Sequence, residues 1–316
     1  MGEQGKKLIK LDEMLGSADG RYFGSGYRDV RYALAASNLE VGARTTIHNV
    51  GSVRYPDRWS VSAGGTGRVP HLSSVDAIVF PIMALEALSH AADREELSSL
   101  FVESIELRAG RMAWLDLETV PISMEIDDSE ERRTLTSTVG NIRARVTLKR
   151  ASVDDRGQLG SSRTEPATVY GGLFQSAFSR STSTQLALSG LVLNARHENT
   201  VGSKLRSAPG VEAAYWPAMT VIDYLVTMGQ LTQGIVYAAG ATDRAHVGTL
   251  WMRTMKMSVK GPPASVPGAF GTRTHLLRDC AIEHGSRRIH DVLVESSSTT
   301  GVQARSSLAY TENSEE

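Results

Sequence analysis

The sequence predicts an α+β protein made of two similar halves, and three features of its 316 residues indicate this class. The first is an internal repeat, in which the segment PHLSSVD at residues 70–76 returns 147 residues later as PAMTVID at residues 217–223. The second is one long apolar helix after each copy, and the third is a set of strands around each helix. A repeat of this length exceeds the solenoid units of up to about 50 residues. We therefore expect two half-domains in tandem.

Each half contains one long apolar segment with the pattern of a helix. These segments cover residues 73–92, interrupted only by Pro81, and residues 220–239. Both begin with a hydroxyl residue followed three positions later by an acid, as in Ser73 with Asp76 and Thr220 with Asp223. Such a pair is typical of a helix N-terminus. We predict one central helix per half.

Segments with strand character surround both helices. We predict strands at residues 30–39, 101–108, 113–126, 135–149, 184–194, 250–259, 271–282 and 288–295. Within residues 142–149 and 255–260, apolar residues alternate with cationic or polar ones. This alternation predicts antiparallel strands with one buried and one solvated face.

A helix wrapped by an antiparallel sheet and repeated in tandem is the pattern of a double hot-dog fold, which we predict for this chain. The first half should span residues 10–150 and the second half residues 169–310. The polar segment 151–168 contains Gly and Ser and is predicted to be the linker. We expect residues 1–9 to be a flexible N-terminus and residues 311–316 to be a frayed tail.

Composition excludes several classes of protein. The net charge is -1 and no long basic run is present, so nucleic-acid binding is not expected. The N-terminus lacks an apolar signal core, and no segment approaches the roughly 20 apolar residues of a membrane span. We expect a cytoplasmic protein without membrane association. The single Cys280 excludes an intrachain disulfide and a cysteine-based zinc site, and we predict neither a metal nor a cofactor.

Three stretches of sequence resemble a known family. They are LGSADGRYFGSGY at residues 15–27, VRYPDRWS at residues 53–60 and PHLSSVDA at residues 70–77. Together they resemble the avirulence D family of bacterial proteins. The resemblance implies a biosynthetic enzyme that condenses a 3-oxoacyl thioester, on coenzyme A or an acyl carrier protein, with a ketose or polyol such as xylulose. The product would be a syringolide-like signal molecule of acyl-glycoside or butyrolactone type. The layout is also similar to hot-dog proteins of A-factor-type butenolide biosynthesis and to polyketide dehydratases.

His71 is our candidate for the catalytic base. The implied chemistry requires a base for an acidic C–H or O–H and a donor that faces the carbonyl oxygen. His71 precedes the first helix, whose free N–H groups and positive dipole end would face the thioester. The second half has Ala218 at the corresponding position. Double hot-dog dehydratases pair a histidine of one half with an acid on the helix of the other, so the similarity in layout assigns that second role to Asp223.

Other polar residues of the two helices are further candidates. Asp76 is the counterpart of Asp223 in the first half. Gln230 and Gln233 lie further along the second helix, where either could orient Asp223 or the substrate. Glu86 lies inside the apolar first helix, and since an unpaired buried charge is costly, we predict a functional or paired role for it.

Residues that precede each helix are candidate substrate contacts. Those before the first helix are Arg54, Tyr55, Arg58 and Trp59. The arginines could bind the phosphates of a pantetheine arm or sugar hydroxyls, and the alternative is a surface turn. Trp216 has the equivalent place before the second helix, where it either closes the tunnel or anchors the helix to the sheet.

Structural alternatives remain for several of these residues. Asp76 and Asp223 fit a capping box, in which a hydroxyl and a carboxylate satisfy backbone N–H groups. His71 follows a proline in a loop, where it could instead be a surface histidine. Methionines would either line an acyl tunnel or fill the core; they are at positions 83, 219, 228, 252, 255 and 257.

The sequence therefore leaves three functions open. The first is the condensation of a 3-oxoacyl thioester with a ketose or polyol. The second is a hydroxyacyl dehydratase or isomerase that uses His71 and Asp223. The third is a non-catalytic protein that binds acyl lactones. We also leave a homodimer open.

Overall fold

The computed structural model describes residues 6–35, 38–41, 45–61, 65–89, 96–150, 167–202, 210–240, 250–284 and 287–311. The predicted linker lies outside this part of the chain over residues 151–166. The predicted tail lies outside it beyond residue 311, as do the first five residues of the predicted flexible N-terminus.

Fourteen strands in the described part of the chain form one sheet, in which all the strand pairs are antiparallel. The strands are β1 (Lys6–Ile9), β2 (Arg31–Leu34), β3 (Asn38–Val41), β4 (Thr45–Arg54), β5 (Leu100–Arg108), β6 (Val120–Asp128), β7 (Arg132–Val139), β8 (Ile142–Arg150), β9 (Ala177–Ala187), β10 (Val192–Val201), β11 (Trp251–Val259), β12 (Gly268–His284), β13 (Arg287–Ser298) and β14 (Val302–Thr311). The helices that matter below are α1 (Leu11–Leu15), α2 (Asp76–Leu88) and α3 (Val221–Ala239). The predicted α+β class with a large antiparallel sheet is confirmed.

The sheet runs without interruption from one predicted half to the other. Its order is β1-β9-β10-β12-β13-β14-β11-β5-β8-β7-β6-β4-β2, and β3 also pairs with β4. Strands β5 and β11 make the junction, where Met255 lies opposite Leu107 and Met257 opposite Ile105. The backbone groups of these two strands therefore satisfy each other across the junction.

The two faces of the central strands differ in burial, as the alternation predicts. In β8 the side chains of Ile142 and Val146 are buried, whereas those of Arg143 and Arg145 are exposed. The inner face of the sheet packs on the helices: α2 contacts β7 and β8, and α3 contacts β9 and β12. The solvent face of these strands is thus left to charged and polar side chains.

Some predicted strand boundaries are wrong because tight turns interrupt the alternation without a visible change of composition. The predicted strand at residues 135–149 is the hairpin β7–β8, and Gly140 at its turn has a φ of +56°, which favours glycine. The predicted strand at residues 184–194 likewise covers the turn between β9 and β10. Strands β4 and β14 were not predicted, and residues 113–119 precede β6 as a loop.

Both long helices begin close to the predicted positions. Helix α3 spans nearly the whole predicted segment, and α2 continues through Pro81 and ends at Leu88. At α2, the Ser73 N–H donates to the carboxylate of Asp76 at 2.7 Å, and the Asp76 N–H donates to Ser73 Oγ at 3.3 Å. Within the described residues, no helix has both the length and the apolar character needed to cross a bilayer.

The N-terminal segment packs on the second half of the chain. Strand β1 pairs with β9, so the prediction of a flexible N-terminus is wrong from Lys6 onward. Leu11 and Leu15 of α1 share a buried apolar cluster with Leu231 of α3. The close approach relies on Gly234, where an added Cβ would lie 3.3 Å from a methyl carbon of Leu11. Main-chain pairing and apolar burial together fix this segment.

Candidate functional site

A cavity of about 210 Å³ lies between α3, the inner face of the sheet and the loops that precede α2. Its apolar wall includes Leu225 and Met228 of α3 and Met252, Met255 and Met257 of β11. Of the six methionines proposed from the sequence, these four line the cavity, and Met83 and Met219 do not. Flexible thioether side chains give such a wall an adaptable shape.

The loop of residues 109–119, between β5 and β6, closes one side of the cavity. Ala109, Met112 and Trp114 of this loop line it. The Trp114 carbonyl accepts a hydrogen bond from the Leu72 N–H at 3.0 Å, and Asn141 Nδ2 donates to the Met112 carbonyl at 2.7 Å. The loop is therefore fastened both to the approach to α2 and to the β7–β8 turn.

His71 lies in the cavity wall between two tryptophan side chains. Its ring centroid is 5.3 Å from that of Trp59, edge-on, and 5.9 Å from that of Trp251, stacked. Partial burial lowers the pKa of His71 below its ordinary value. Nδ1 lies 3.2 Å from the Val69 carbonyl oxygen, so a proton on Nδ1 would donate to it and leave Nε2 free to accept. A neutral imidazole in this state can act as a base.

Asp76 is fully buried behind the cavity wall and does not line it. Its carboxylate accepts hydrogen bonds from the hydroxyls of Tyr32, at 2.9 Å, and of Tyr55. Burial raises the pKa of Asp76 to about 6. Ser73, which caps α2 with Asp76, does line the cavity, and its Oγ lies 2.7 Å from the Tyr22 hydroxyl. Asp76 and Tyr55 thus support the wall from behind.

Asp223 occupies the capping position of α3. Its carboxylate accepts from the Thr220 N–H at 2.7 Å and from Thr220 Oγ1 at 2.9 Å. Burial raises the pKa of Asp223 to about 6. Because Asp223 is not among the cavity-lining residues, the structure does not bring it onto the same wall as His71. The capping interpretation describes what both aspartates do here.

The two glutamines of α3 differ in their surroundings. Gln233 lines the cavity, is half-buried, and its side chain forms no hydrogen bond with the residues that the structure describes. Gln230 Oε1 accepts a 2.9 Å hydrogen bond from Arg21. Arg21 lines the cavity, is only 4% exposed, and also pairs with Asp12 at 2.6 Å. Gln230 therefore positions Arg21, whereas Gln233 offers its amide to the cavity.

Arg21 is a site residue that sequence reasoning missed. It lies within the stretch at residues 15–27 that carries the family resemblance, and that position is the one signal that could have indicated it. Its partner Gln230 is 209 residues away in the sequence, so no local pattern joins the two.

The remaining candidate contacts divide into one that lines the cavity and several that do not. Trp59 is buried, lines the cavity and donates from Nε1 to the Arg68 carbonyl at 2.8 Å. Arg54 and Arg58 are exposed and do not line it. Trp216 is half-buried against the main core and lies outside the cavity wall.

Glu86 is a paired structural carboxylate. It is 7% exposed and accepts from Thr168 Oγ1 at 2.7 Å and from the Val211 N–H at 2.9 Å. It therefore ties α2 to two segments of the second half, which fits the predicted paired role. The cavity-lining residues in the described part of the chain include no carboxylate. That same part contains no group of three or more His, Cys, Asp or Glu that could hold a metal ion.

Comparison with known proteins gives one match over nearly the whole chain. The family model described as "Pseudomonas avirulence D protein (AvrD)" matches residues 6–311. No curated protein matches the chain.

Solved structures give only distant similarities. A conserved protein of unknown function with a hot-dog fold from Alicyclobacillus acidocaldarius has 12% identity and a TM-score of 0.40, over 87% of this chain and 96% of that one. The 12:0-ACP thioesterase from Umbellularia californica has 9% identity and a TM-score of 0.41, over 88% and 93%. The dehydratase domain of the CurJ module of curacin polyketide synthase has 8% identity and a TM-score of 0.38, over 89% and 97%.

Proposed function

Since this chain belongs to the avirulence D protein family, we propose that it is a biosynthetic enzyme that joins a 3-oxoacyl group, delivered as a thioester, to a hydroxyl of a ketose or polyol such as xylulose. The product would be a syringolide-like precursor of acyl-glycoside or butyrolactone type. We also propose that each half is a hot-dog unit, because one long helix packs on each half of the continuous sheet.

One observation carries the proposal: the cavity combines a methionine-lined apolar wall with polar groups around His71. An acyl chain needs the apolar wall, because burying its methylenes stabilises binding by about 0.8 kcal/mol each. The reacting carbonyl needs a base and a hydrogen-bond donor at the same end. His71 and Gln233 supply these two groups.

In the proposed reaction, His71 Nε2 takes the proton of the acceptor hydroxyl as its oxygen attacks the thioester carbonyl carbon. The Gln233 amide donates to the oxyanion that develops on the carbonyl oxygen. As the new C–O bond persists, the C–S bond breaks. The thiolate that leaves takes the proton from His71, which returns to its neutral form.

The composition of the cavity favours this reaction over dehydration. A hydroxyacyl dehydratase must protonate the departing hydroxyl, and the candidate acid for that step is Asp223. Its carboxylate is already bonded to Thr220, and the described lining residues contain no other carboxylate. A base with a neutral donor suits acyl transfer better than elimination.

The test is release of thiol from a 3-oxooctanoyl thioester, followed with a thiol reagent, with and without xylulose. We expect release that depends on the acceptor and is lost in His71→Ala. Enoyl absorbance without an acceptor would instead identify a dehydratase. Saturable protection against thermal unfolding without turnover would identify a binding protein.

A further inference from the structure

A group of exposed apolar side chains surrounds the cavity next to His71. Met112, Val69 and Leu115 are 76%, 69% and 61% exposed, and they are three of the four most exposed large apolar side chains in the described part of the chain. Met112 lines the cavity, the Val69 carbonyl contacts His71, and Leu115 follows Trp114 in the 109–119 loop. Clustered exposure of this kind is typical of a surface that contacts another protein.

Two arginines adjoin these apolar side chains. Arg108 ends β5 and Arg143 lies near the start of β8, and the two are direct cross-strand partners. Both side chains are exposed, and neither forms an ion pair or a hydrogen bond with the residues that the structure describes. Like charges placed directly opposite each other are unfavourable in a sheet, so an external anion would stabilise the pair.

The chain links these arginines directly to the cavity. Ala109, which follows Arg108, lines the cavity, and so do Asn141 and Ile142, which precede Arg143. Arg111 in the 109–119 loop adds another exposed cation that is unpaired within the described residues. We call the surface formed by Val69, Arg108, Arg111, Met112, Leu115 and Arg143 the docking face.

We propose that the docking face binds an acidic acyl carrier protein, which inserts its thioester arm into the cavity beside His71. The inference rests on the thioester chemistry proposed above and chooses between its two donors. Charge complementarity favours an acidic partner, because three unpaired arginines would steer it to the cavity. The exposed apolar side chains favour a protein surface over free coenzyme A, whose arm would leave them in water.

The experiment compares the same 3-oxooctanoyl group on a holo carrier protein and on coenzyme A. The test variant is the double charge reversal Arg108→Glu/Arg143→Glu, neither of which lines the cavity. The matched control is Arg196→Glu, an exposed arginine of β10 that is also unpaired within the described residues. Leu115→Ser tests the apolar part of the face. Circular dichroism confirms folding of every variant.

We expect the double reversal to lower kcat/KM for the carrier-bound substrate by about tenfold or more, mostly through slower association that depends on salt. The coenzyme A substrate and the Arg196→Glu control should be unaffected. Fluorescence anisotropy with labelled holo carrier protein, which carries no acyl group, should show the same weakening of binding without any turnover. Leu115→Ser should weaken it to a smaller extent.

Three results would overturn the docking proposal. They are an equal loss of activity for both donors, no binding of the carrier by the wild-type protein that still uses the coenzyme A thioester, and a dimer that the double reversal converts to monomer. The last would assign the face to a second copy of this chain. If neither thioester releases thiol but the arginines still control carrier binding, the docking proposal stands and the proposed reaction fails.

Discussion

Arg21 donates a 2.9 Å hydrogen bond to Oε1 of Gln230, which lies on α3 and belongs to the other half of the chain. The same guanidinium pairs with Asp12 of α1 at 2.6 Å and is almost fully buried, whereas Asp12 is 67% exposed. One cation therefore joins α1, the loop after it and α3 at the wall of the cavity.

Replacing Arg21 with Met should lower the free energy of unfolding by about 2 kcal/mol, because the bond from a charged donor to Gln230 is lost. Urea denaturation measures this value. Asp12→Asn is the control, and it should change stability by less than about 1 kcal/mol, because its carboxylate remains mostly in water. Equal losses for the two variants would show that the exposed ion pair, rather than the contact with Gln230, provides the stability.

Replacing His71 with Ala should lower turnover by about a hundredfold and leave the fold intact. Because burial lowers the pKa of His71, kcat/KM of the wild-type protein should fall only as the pH drops below about 6.5, where the imidazole becomes protonated. Steady-state rates between pH 5 and pH 8, measured with the thioester, give this profile.

Asp223→Asn and Asp76→Asn should separate capping from catalysis. Each should cost roughly 1 kcal/mol of stability as a capping residue and retain most of the turnover, in contrast to His71→Ala. A hundredfold loss of turnover in a stably folded Asp223→Asn would restore the acid role that the sequence suggested for it.

Gln233 and Glu86 occupy equivalent positions of the internal repeat and should respond in opposite ways. Gln233→Leu should lower kcat by about tenfold to a hundredfold with little change in stability, because its amide has no partner among the described residues. Glu86→Leu should lower stability by more than about 1 kcal/mol, because Thr168 and the Val211 N–H lose their acceptor. Parallel melting and kinetic measurements of the two variants decide this.

Glu212 should make stability depend on pH. It is 3% exposed and accepts hydrogen bonds from the Val102 N–H and the Tyr170 hydroxyl, both at 2.9 Å. Burial raises its pKa to about 7. Because the folded state holds this proton more tightly than the unfolded chain, its stabilising contribution is complete below about pH 4.3 and is lost as the pH rises through 7.

The predicted slope from Glu212 is at most about 1.4 kcal/mol per pH unit. Glu212→Gln should flatten the dependence between pH 5 and pH 7, as measured by urea denaturation across this range. Asp76 and Asp223, whose pKa values are also raised by burial, should leave a smaller slope below pH 6. An unchanged profile in Glu212→Gln would show that Glu212 titrates normally in the folded protein.

The sequence predicted features whose causes are local. The span of α3 follows from an uninterrupted apolar segment with a capping pair at its start, and both parts of that pattern are contained in residues 220–239. The burial alternation of β8 follows in the same way from residues 142–149. The placement of His71 in the cavity wall follows from its position just before α2.

Features that depend on distant contacts could not be predicted. The role of Arg21 depends on Gln230, and the pairing of β1 depends on β9. Asp223 illustrates a different difficulty: one pattern, Thr220 with an acid three positions later, fits both a cap and a catalytic acid. Only the direction of the carboxylate distinguishes them, and in the structure it points back to Thr220.

The junction of β5 with β11 and the pairing of β1 with β9 have a consequence for any attempt to divide the chain. A fragment that begins at residue 169 would present two open strand edges, one where β1 belongs and one where β5 belongs. Such edges recruit further copies of themselves and lead to aggregation. Whatever independence the halves had as ancestral units, each now supplies backbone that the other cannot fold without, so the two can be inherited only together.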